Sequence, residues 1–146
     1  MRERRRATSV KEYEELGRLM FAPVDGAPDA PEFLLRDDDI VIMPYSKSGT
    51  TWLQQIFHTL RTRGDMDFDD ISRVVPWIEV NPSLGLDLNA EQRASPRGFK
   101  SHLSFDKIPK GGRYINAIRH PNDVAYSLFK FMEGWFIEPG TVTADE

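Results

Sequence analysis

Apolar positions in this chain fall into one short continuous run and several helical stripes. Ile40-Val41-Ile42-Met43 lies between the acidic Asp37-Asp38-Asp39 and the polar Tyr45-Ser46-Lys47-Ser48-Gly49, and a run of that length and composition reads as a buried strand. Next, Trp52, Leu53, Ile56, Phe57 and Leu60 recur at helical spacing, with Gln54, Gln55, His58 and Arg61 on the other side. This predicts an amphipathic helix reaching about Arg63, its apolar face packed on a sheet. Shorter strands are expected at Gly98 to Ser101 and, entered through Gly111-Gly112, at Arg113 to Ile118. Pro121 opens another helix, with Asn122 and Asp123 in its first turn and Val124, Leu128, Phe131, Met132 and Trp135 as its apolar side. Val10 to Met20 reads as a short helix, and Ala22 to Pro31, carrying Pro23, Pro28 and Pro31, as an extended surface loop.

The order strand, helix, strand, strand, helix with short links predicts an α/β domain with a largely parallel sheet, whose ligands gather at the carboxyl ends of strands. The legible strands are fewer than the usual five or six, so the sheet is expected to be incomplete. No internal repeat or low-complexity segment interrupts the 146 residues, a length suited to one domain.

Charge and composition narrow the partners. A net charge of −4 carries no basic excess of the kind that marks nucleic-acid binding, so any anion site must be locally basic. Cysteine is absent, which removes thiolate metal sites and cysteine nucleophiles and is compatible with a reducing interior. The charged start Met1-Arg2-Glu3-Arg4-Arg5-Arg6 is followed by no apolar signal region and reads as a solvated tail. No stretch approaches the ~20 apolar residues needed to cross a bilayer, so no membrane partner is expected.

The chemistry is concentrated where the first strand meets the first long helix. A strand, a short polar loop and a helix start form an anion site, because the first helical N–H groups lack intrahelical acceptors and the helix dipole adds roughly half a positive charge there. Lys47, Ser48, Thr50 and Thr51 add side-chain donors. The order differs from G-x-x-x-x-G-K-[ST], since Gly49 follows Lys47 and Ser48. No second apolar strand ending in Asp offers a magnesium carboxylate, as triphosphate chemistry requires. A sulfuryl group, transferred without metal, suits such a loop.

Tyr45-Ser46-Lys47-Ser48-Gly49-Thr50-Thr51-Trp52 resembles the Y-P-K-S-G-T-T-W signature of the cytosolic-type sulfotransferases that use 3′-phosphoadenosine 5′-phosphosulfate. Ser46 stands where that family has Pro, which frees one φ angle and leaves the loop slightly less preorganised. Phe99-Lys100-Ser101-His102-Leu103 resembles the family's K-T-H-L, and Arg119-His120-Pro121-Asn122-Asp123-Val124-Ala125-Tyr126-Ser127 its R-N-x-x-D-V-x-x-S with the Arg-to-Ser spacing kept. The resemblance covers about residues 34 to 135. It implies a P-loop NTPase-like three-layer α/β fold with a mainly parallel sheet. It also implies that Lys47, Ser48, Gly49, Thr50, Thr51 and Trp52 bind the phosphosulfate end of the nucleotide. Arg119 and Ser127 would bind its 3′-phosphate. His102 would take the proton of a hydroxyl or amine acceptor, with Lys47 and Lys100 stabilising charge. An imidazole with a pKa near ~6.5 suits that task.

The implied protein is a cytoplasmic sulfotransferase acting on a small-molecule acceptor, with the nucleotide as co-substrate and no metal. The expected organisation is a single truncated domain over 1–146, with an N-terminal helix and loop to 33, a nucleotide-binding core over 34–135 and a polar tail over 136–146. The chain stops at Glu146 before any counterpart of the family's R-K-G-x-x-G-D-W segment. A non-catalytic remnant that binds nucleotide or pairs its sheet edge with a complementing chain or a second copy is therefore the alternative. A magnesium-dependent kinase is a third reading, which the loop order and the missing carboxylate disfavour. Without the resemblance, His102 reads as structural, Lys100 as a solvated strand-edge lysine, Arg119 as an exposed Arg and Ser127 as a helix-surface hydroxyl. Trp52 is either core or an adenine platform. Trp77, Phe105, Phe131 and Trp135 either pack or line an acceptor pocket. His58 and His120 have no metal-ligand spacing and are left structural.

Overall fold

A computed structural model describes residues 6–20, 32–81 and 85–145. The expected loop over Ala22 to Pro31, most of the Met1 to Arg6 tail, and Pro82 to Leu84 lie outside the described residues. The chain divides into two compact units, 30–119 and the pairing of 1–29 with 120–146. That grouping cuts across the core expected over 34–135, because the last helix groups with both termini.

Unit 30–119 is built on β1 (Ile40–Ile42), flanked in parallel by β2 (Gly98–Lys100) and β3 (Arg113–Ile115) in the order β2-β1-β3. Ile40 faces Gly98 on one side and Arg113 on the other. Parallel strands in this order confirm the α/β class. The third strand is shorter than expected: Ile118 is almost fully exposed. Between β1 and β2 the chain forms α2 (Thr50–Thr62), the short α3 (Ile71–Val74) and a 3-10 turn at Ile78–Val80. Asp70 caps α3, accepting from Ser72 N at 2.7 Å.

Burial on α2 overturns the sequence reading of its faces. Trp52, Ile56 and Leu60 are exposed, whereas Thr50, Gln54 and His58 are buried. Leu53 and Phe57 still pack on the cluster of Ile42, Val74 and Val75, so the buried face is half apolar and half polar. Part of the polar half finds partners, while Thr50 Oγ1, Gln54 Oε1 and His58 Nε2 make no hydrogen bond among the described residues. Gln54 Nε2 donates to Val75 O at 3.0 Å, and Arg61 Nη2 donates to Val74 O at 2.6 Å. Contact with β2 is close: a Cβ on Gly98 would lie 2.0 Å from the Phe57 ring, so only glycine fits there.

A second buried polar pair holds the start of the sheet. Asp39 is fully buried and takes Arg97 in a two-point ion pair, Nε at 2.9 Å and Nη2 at 2.5 Å. The same guanidinium also donates to Leu34 O and Leu88 O, each at 3.1 Å. Asp39, read only as part of an acidic run, is thus the anchor that ties the approach to β1 to the approach to β2.

In the other unit, α1 (Val10–Met20) and α4 (Pro121–Trp135) form as expected. Glu12 Oε2 accepts from Thr8 N at 2.8 Å, and Glu12 N donates to Ser9 Oγ at 3.2 Å, fixing the start of α1. The segment after α4 is not the polar tail expected over 136–146. Ala7 pairs in parallel with Ile137, and Ala7, Ile137 and Val142 form a buried cluster on which Tyr13, Leu16 and Met132 pack. Two apolar residues among polar ones suffice for this, because the segment around Ala7 and the side chains of α1 and α4 supply their burial.

Candidate functional site

The loop between β1 and α2 has the backbone of an anion cradle. Lys47 has φ 65° and Gly49, which caps α2, has φ 97°, so two residues of five stand in the left-handed region. Ser48 N donates back to Tyr45 O at 3.1 Å, closing the turn, and the first helical bond runs from Leu53 N to Gly49 O at 3.0 Å. No side chain caps the helix, and its first turn carries no acid. The early N–H groups of α2 are therefore left without intrahelical acceptors. Ser48 and Thr50 are buried, and Thr50 Oγ1 has no hydrogen-bond partner among the described residues. A buried hydroxyl without a partner, a lysine and an uncapped helix start form a donor set that fits a phosphate or sulfate. Thr51 is exposed, and Trp52 is 76% exposed, which removes the core reading of that indole.

The second motif is tied directly to the first. Ser101 N donates to Ile42 O at 2.9 Å, carrying the chain past β2 alongside the end of β1. His102 Nδ1 then lies 3.1 Å from Pro44 O, just before the cradle. A carbonyl only accepts, so Nδ1 carries the proton and Nε2 of the neutral ring keeps its lone pair. Burial holds the His102 pKa below its ordinary value, and Lys100 and Lys47 push the same way; the Pro44 bond and Glu79 oppose them. Trp77 meets the ring edge-on, with centroids 5.3 Å apart.

Lys100 is no solvated strand-edge lysine. It is half-buried, and Nζ stands 3.9 Å from the centroid of the Trp77 ring, a cation–π contact. Burial lowers its pKa, as does Lys47, against the attraction of Glu79 and Asp70. Trp77 belongs to this site as the surface between Lys100 and His102, where sequence reasoning left it open between packing and pocket. Phe105, also a candidate for the acceptor pocket, is 61% exposed and packs edge-on with Tyr114.

Of the third motif, Arg119 is exposed and donates from Nη1 to Lys47 O at 3.1 Å. It thereby bonds the carbonyl of the left-handed lysine. Ser127 is half-buried on α4, in the other unit, where Phe131 and Trp135 of the same helix are exposed. His120 precedes α4 and makes no side-chain cap. His58 is fully buried on α2. Among the described residues no group of three or more His, Cys, Asp or Glu is placed to hold a metal ion.

Sequence reasoning missed Pro44 and Glu79. A carbonyl carries no side-chain signature, but Glu79 had one: it is the lone acid in the apolar stretch Val74 to Val80. A cleft of about 490 Å³, bounded by Asp69, Arg73, Asp87 and Arg93 among others, includes none of the motif residues. The convergence of donors, not concavity, marks the site.

The chain belongs to the sulfotransferase family: the sulfotransferase domain family model matches residues 37–144. It is 37% identical to rabbit (Oryctolagus cuniculus) amine sulfotransferase over 109 residues, 68% of this chain and 35% of that protein. It is 35% identical to human sulfotransferase 2A1 over 108 residues, 68% of this chain and 37% of that one. Mouse sulfotransferase 1E1 is 33% identical over 114 residues, 71% of this chain and 39% of the relative. The chain thus spans little more than a third of the length of these relatives. No helix among the described residues is long and apolar enough to cross a membrane.

Proposed function

We propose that this chain forms part of a single sulfotransferase domain, acting in the cytoplasm, that moves a sulfuryl group from 3′-phosphoadenosine 5′-phosphosulfate to a hydroxyl or amine of a small acceptor. In this reading Lys47, Ser48, Gly49, Thr50 and Thr51 hold the 5′-phosphosulfate, Trp52 offers its exposed face to the adenine, and Arg119 and Ser127 bind the 3′-phosphate. The acceptor's lone pair forms a bond to sulfur as the bond from sulfur to the bridging phosphate oxygen breaks. The acceptor proton passes to His102 Nε2, and the electron pair leaves on the phosphate oxygen. Lys47 and Lys100 stabilise that charge, and preorganised donors of this kind are worth about 3 to 4 kcal/mol each. No metal takes part.

The observation that carries the reading is the Pro44 bond, which leaves His102 Nε2 as an acceptor of protons beside a strand-end lysine and an anion cradle. Calorimetry with adenosine 3′,5′-bisphosphate tests it: the wild-type chain is expected to bind, and absence of heat and of thermal stabilisation at millimolar ligand refutes it. With labelled sulfate donor and a panel of phenols, alcohols and amines, His102→Ala is expected to lower transfer by ~10²- to 10⁴-fold with nucleotide binding kept. Unchanged transfer in that variant removes His102 from its role.

A second reading rests on the sheet. The outer side of β2 is met by Trp77, which bridges to Lys100, whereas among the described residues no strand covers the outer side of β3. Such an edge favours a nucleotide-binding remnant that pairs with a complementing chain or a second copy. Nucleotide binding without transfer, together with a dimer in sedimentation, selects this reading over the enzyme.

A further inference from the structure

Glu79 stands on the 3-10 turn Ile78–Val80, outside the motifs that define the site. Its Oε1 accepts the backbone N–H of His102 at 2.5 Å. One step earlier, Lys100 N donates to Pro76 O at 2.7 Å, and Trp77 bridges to Lys100. A single parallel bridge thus sets Trp77 beside Lys100, and from the 3-10 turn that follows, the Glu79 carboxylate reaches back to the His102 N–H. The other oxygen, Oε2, is buried and has no hydrogen-bond partner among the described residues. A carboxylate oxygen kept from water without a partner is costly. It persists where its charge acts on a neighbour.

The neighbours are cations, actual or forming. Around His102 stand Lys100 on the strand end, Lys47 on the cradle, Glu79 on the turn and the Pro44 carbonyl. Around Lys100 stand Glu79, Asp70 and Lys47. Among the described residues Glu79 is the one negative charge that bears on both. When His102 takes a proton, a half-buried imidazolium forms under the repulsion of Lys100 and Lys47, and an anion nearby offsets that repulsion.

We propose that Glu79 is a positioning residue for sulfuryl transfer: Oε1 fixes the backbone of His102, and the carboxylate charge stabilises the imidazolium formed when His102 accepts the acceptor's proton. The transfer step rests on the sulfotransferase reading above; the coupling between Glu79 and His102 does not. Glu79→Gln keeps an oxygen for the His102 N–H and removes the charge, and Glu79→Asp keeps the charge.

The imidazole of His102 is followed by NMR through a pH titration of the full chain, with adenosine 3′,5′-bisphosphate binding measured on the same samples. In Glu79→Gln the His102 midpoint is expected to move to lower pH, while Glu79→Asp stays nearer the wild type and nucleotide affinity changes less than about 3-fold. The acid limb of the rate profile moves with the NMR midpoint, and the loss falls on kcat, not on KM for the donor. A midpoint unmoved by Glu79→Gln in a folded variant overturns the proposal even where nucleotide binds normally. If the wild type fails to bind nucleotide yet Glu79→Gln shifts His102, the sulfotransferase reading falls and the coupling stands. Should Glu79→Gln fail to fold, Glu79→Asp with a wild-type midpoint upholds the charge role, and one that titrates lower than wild type overturns it.

Discussion

The two ends of α2 use polar groups in opposite ways. At its C-terminal end Arg61 commits both terminal nitrogens to the protein: Nη1 to Gln92 Oε1 at 2.6 Å and Pro96 O at 2.9 Å, Nη2 to Val74 O at 2.6 Å and His58 Nδ1 at 3.2 Å. Burial lowers even its pKa, to about 10. At the N-terminal end the helix has no side-chain cap, and the hydroxyl of Thr50 has no partner among the described residues. One helix thus carries, at its closed end, a network of the Arg61 terminal nitrogens that ties loops to the sheet, although the buried Arg61 Nε and His58 Nε2 make no hydrogen bond among the described residues. Roughly three turns away it carries an open end where the Thr50 hydroxyl makes none. Donors already matched internally stabilise the fold, and those left unmatched at low cost are available to a ligand.

Breaking the closed end has the largest expected effect. Arg61→Leu leaves the carbonyls of Val74 and Pro96 without their donor, a loss of about 3 kcal/mol or more at ~1 to 3 kcal/mol for each buried group. Urea unfolding followed by circular dichroism measures it, and a loss below about 1 kcal/mol would show that the network is not holding the loops. At the open end Thr50→Val removes a hydroxyl that bonds nothing within the described protein, so unfolding stability should be unchanged or raised by up to about 1 kcal/mol. The same variant should bind adenosine 3′,5′-bisphosphate about 5- to 10-fold more weakly in calorimetry. Lowered stability with unchanged affinity would reverse the comparison.

The smallest effect is a pH dependence at the closed end. Burial, helped by Arg61 and Arg93 against the attraction of Asp65, holds His58 below its ordinary pKa. Its Nδ1 accepts from Arg61, so the neutral ring is the folded form. Between the lowered folded pKa and the unfolded value near ~6.5, the unfolded chain binds more protons. The stability contribution is therefore complete above about pH 6.5 and is lost as the pH falls below it. Urea midpoints at pH 7.5 and 5.5 should differ in that direction, and His58→Asn, which offers an acceptor that does not titrate, should flatten the difference. His102, also lowered, adds a dependence of the same sign, so the contrast between wild type and variant isolates His58.

The motif residues were legible because backbone chemistry is local. A strand, a Lys-Ser-Gly-Thr-Thr loop and a helix can be read from consecutive residues, and the structure has β1, a turn left-handed at Lys47 and Gly49, and α2 in that order. The faces of α2 were not legible. Periodicity counts apolar residues, whereas the structure buries Gln54 and His58 and exposes Trp52 and Leu60. A periodic pattern cannot reveal that Val75 O and Val74 O stand ready to accept bonds from residues far along the chain. The packing of Ile137 and Val142 on Ala7 escaped the sequence for the same reason: two apolar residues in a polar segment have no period, and their burial depends on a partner at the other end of the chain.

By itself, then, the sequence determined the α/β class, the order of the elements and the family, each written in contiguous residues and their spacing. Only the tertiary structure decided that Arg119 braces the loop through Lys47 O, that Pro44 O sets the tautomer of His102, and that Glu79 takes the backbone N–H of His102. Those are contacts between groups distant in sequence, two of them backbone carbonyls that every residue possesses. Their roles come from where the parallel sheet brings strand ends together, and no side-chain pattern encodes that meeting.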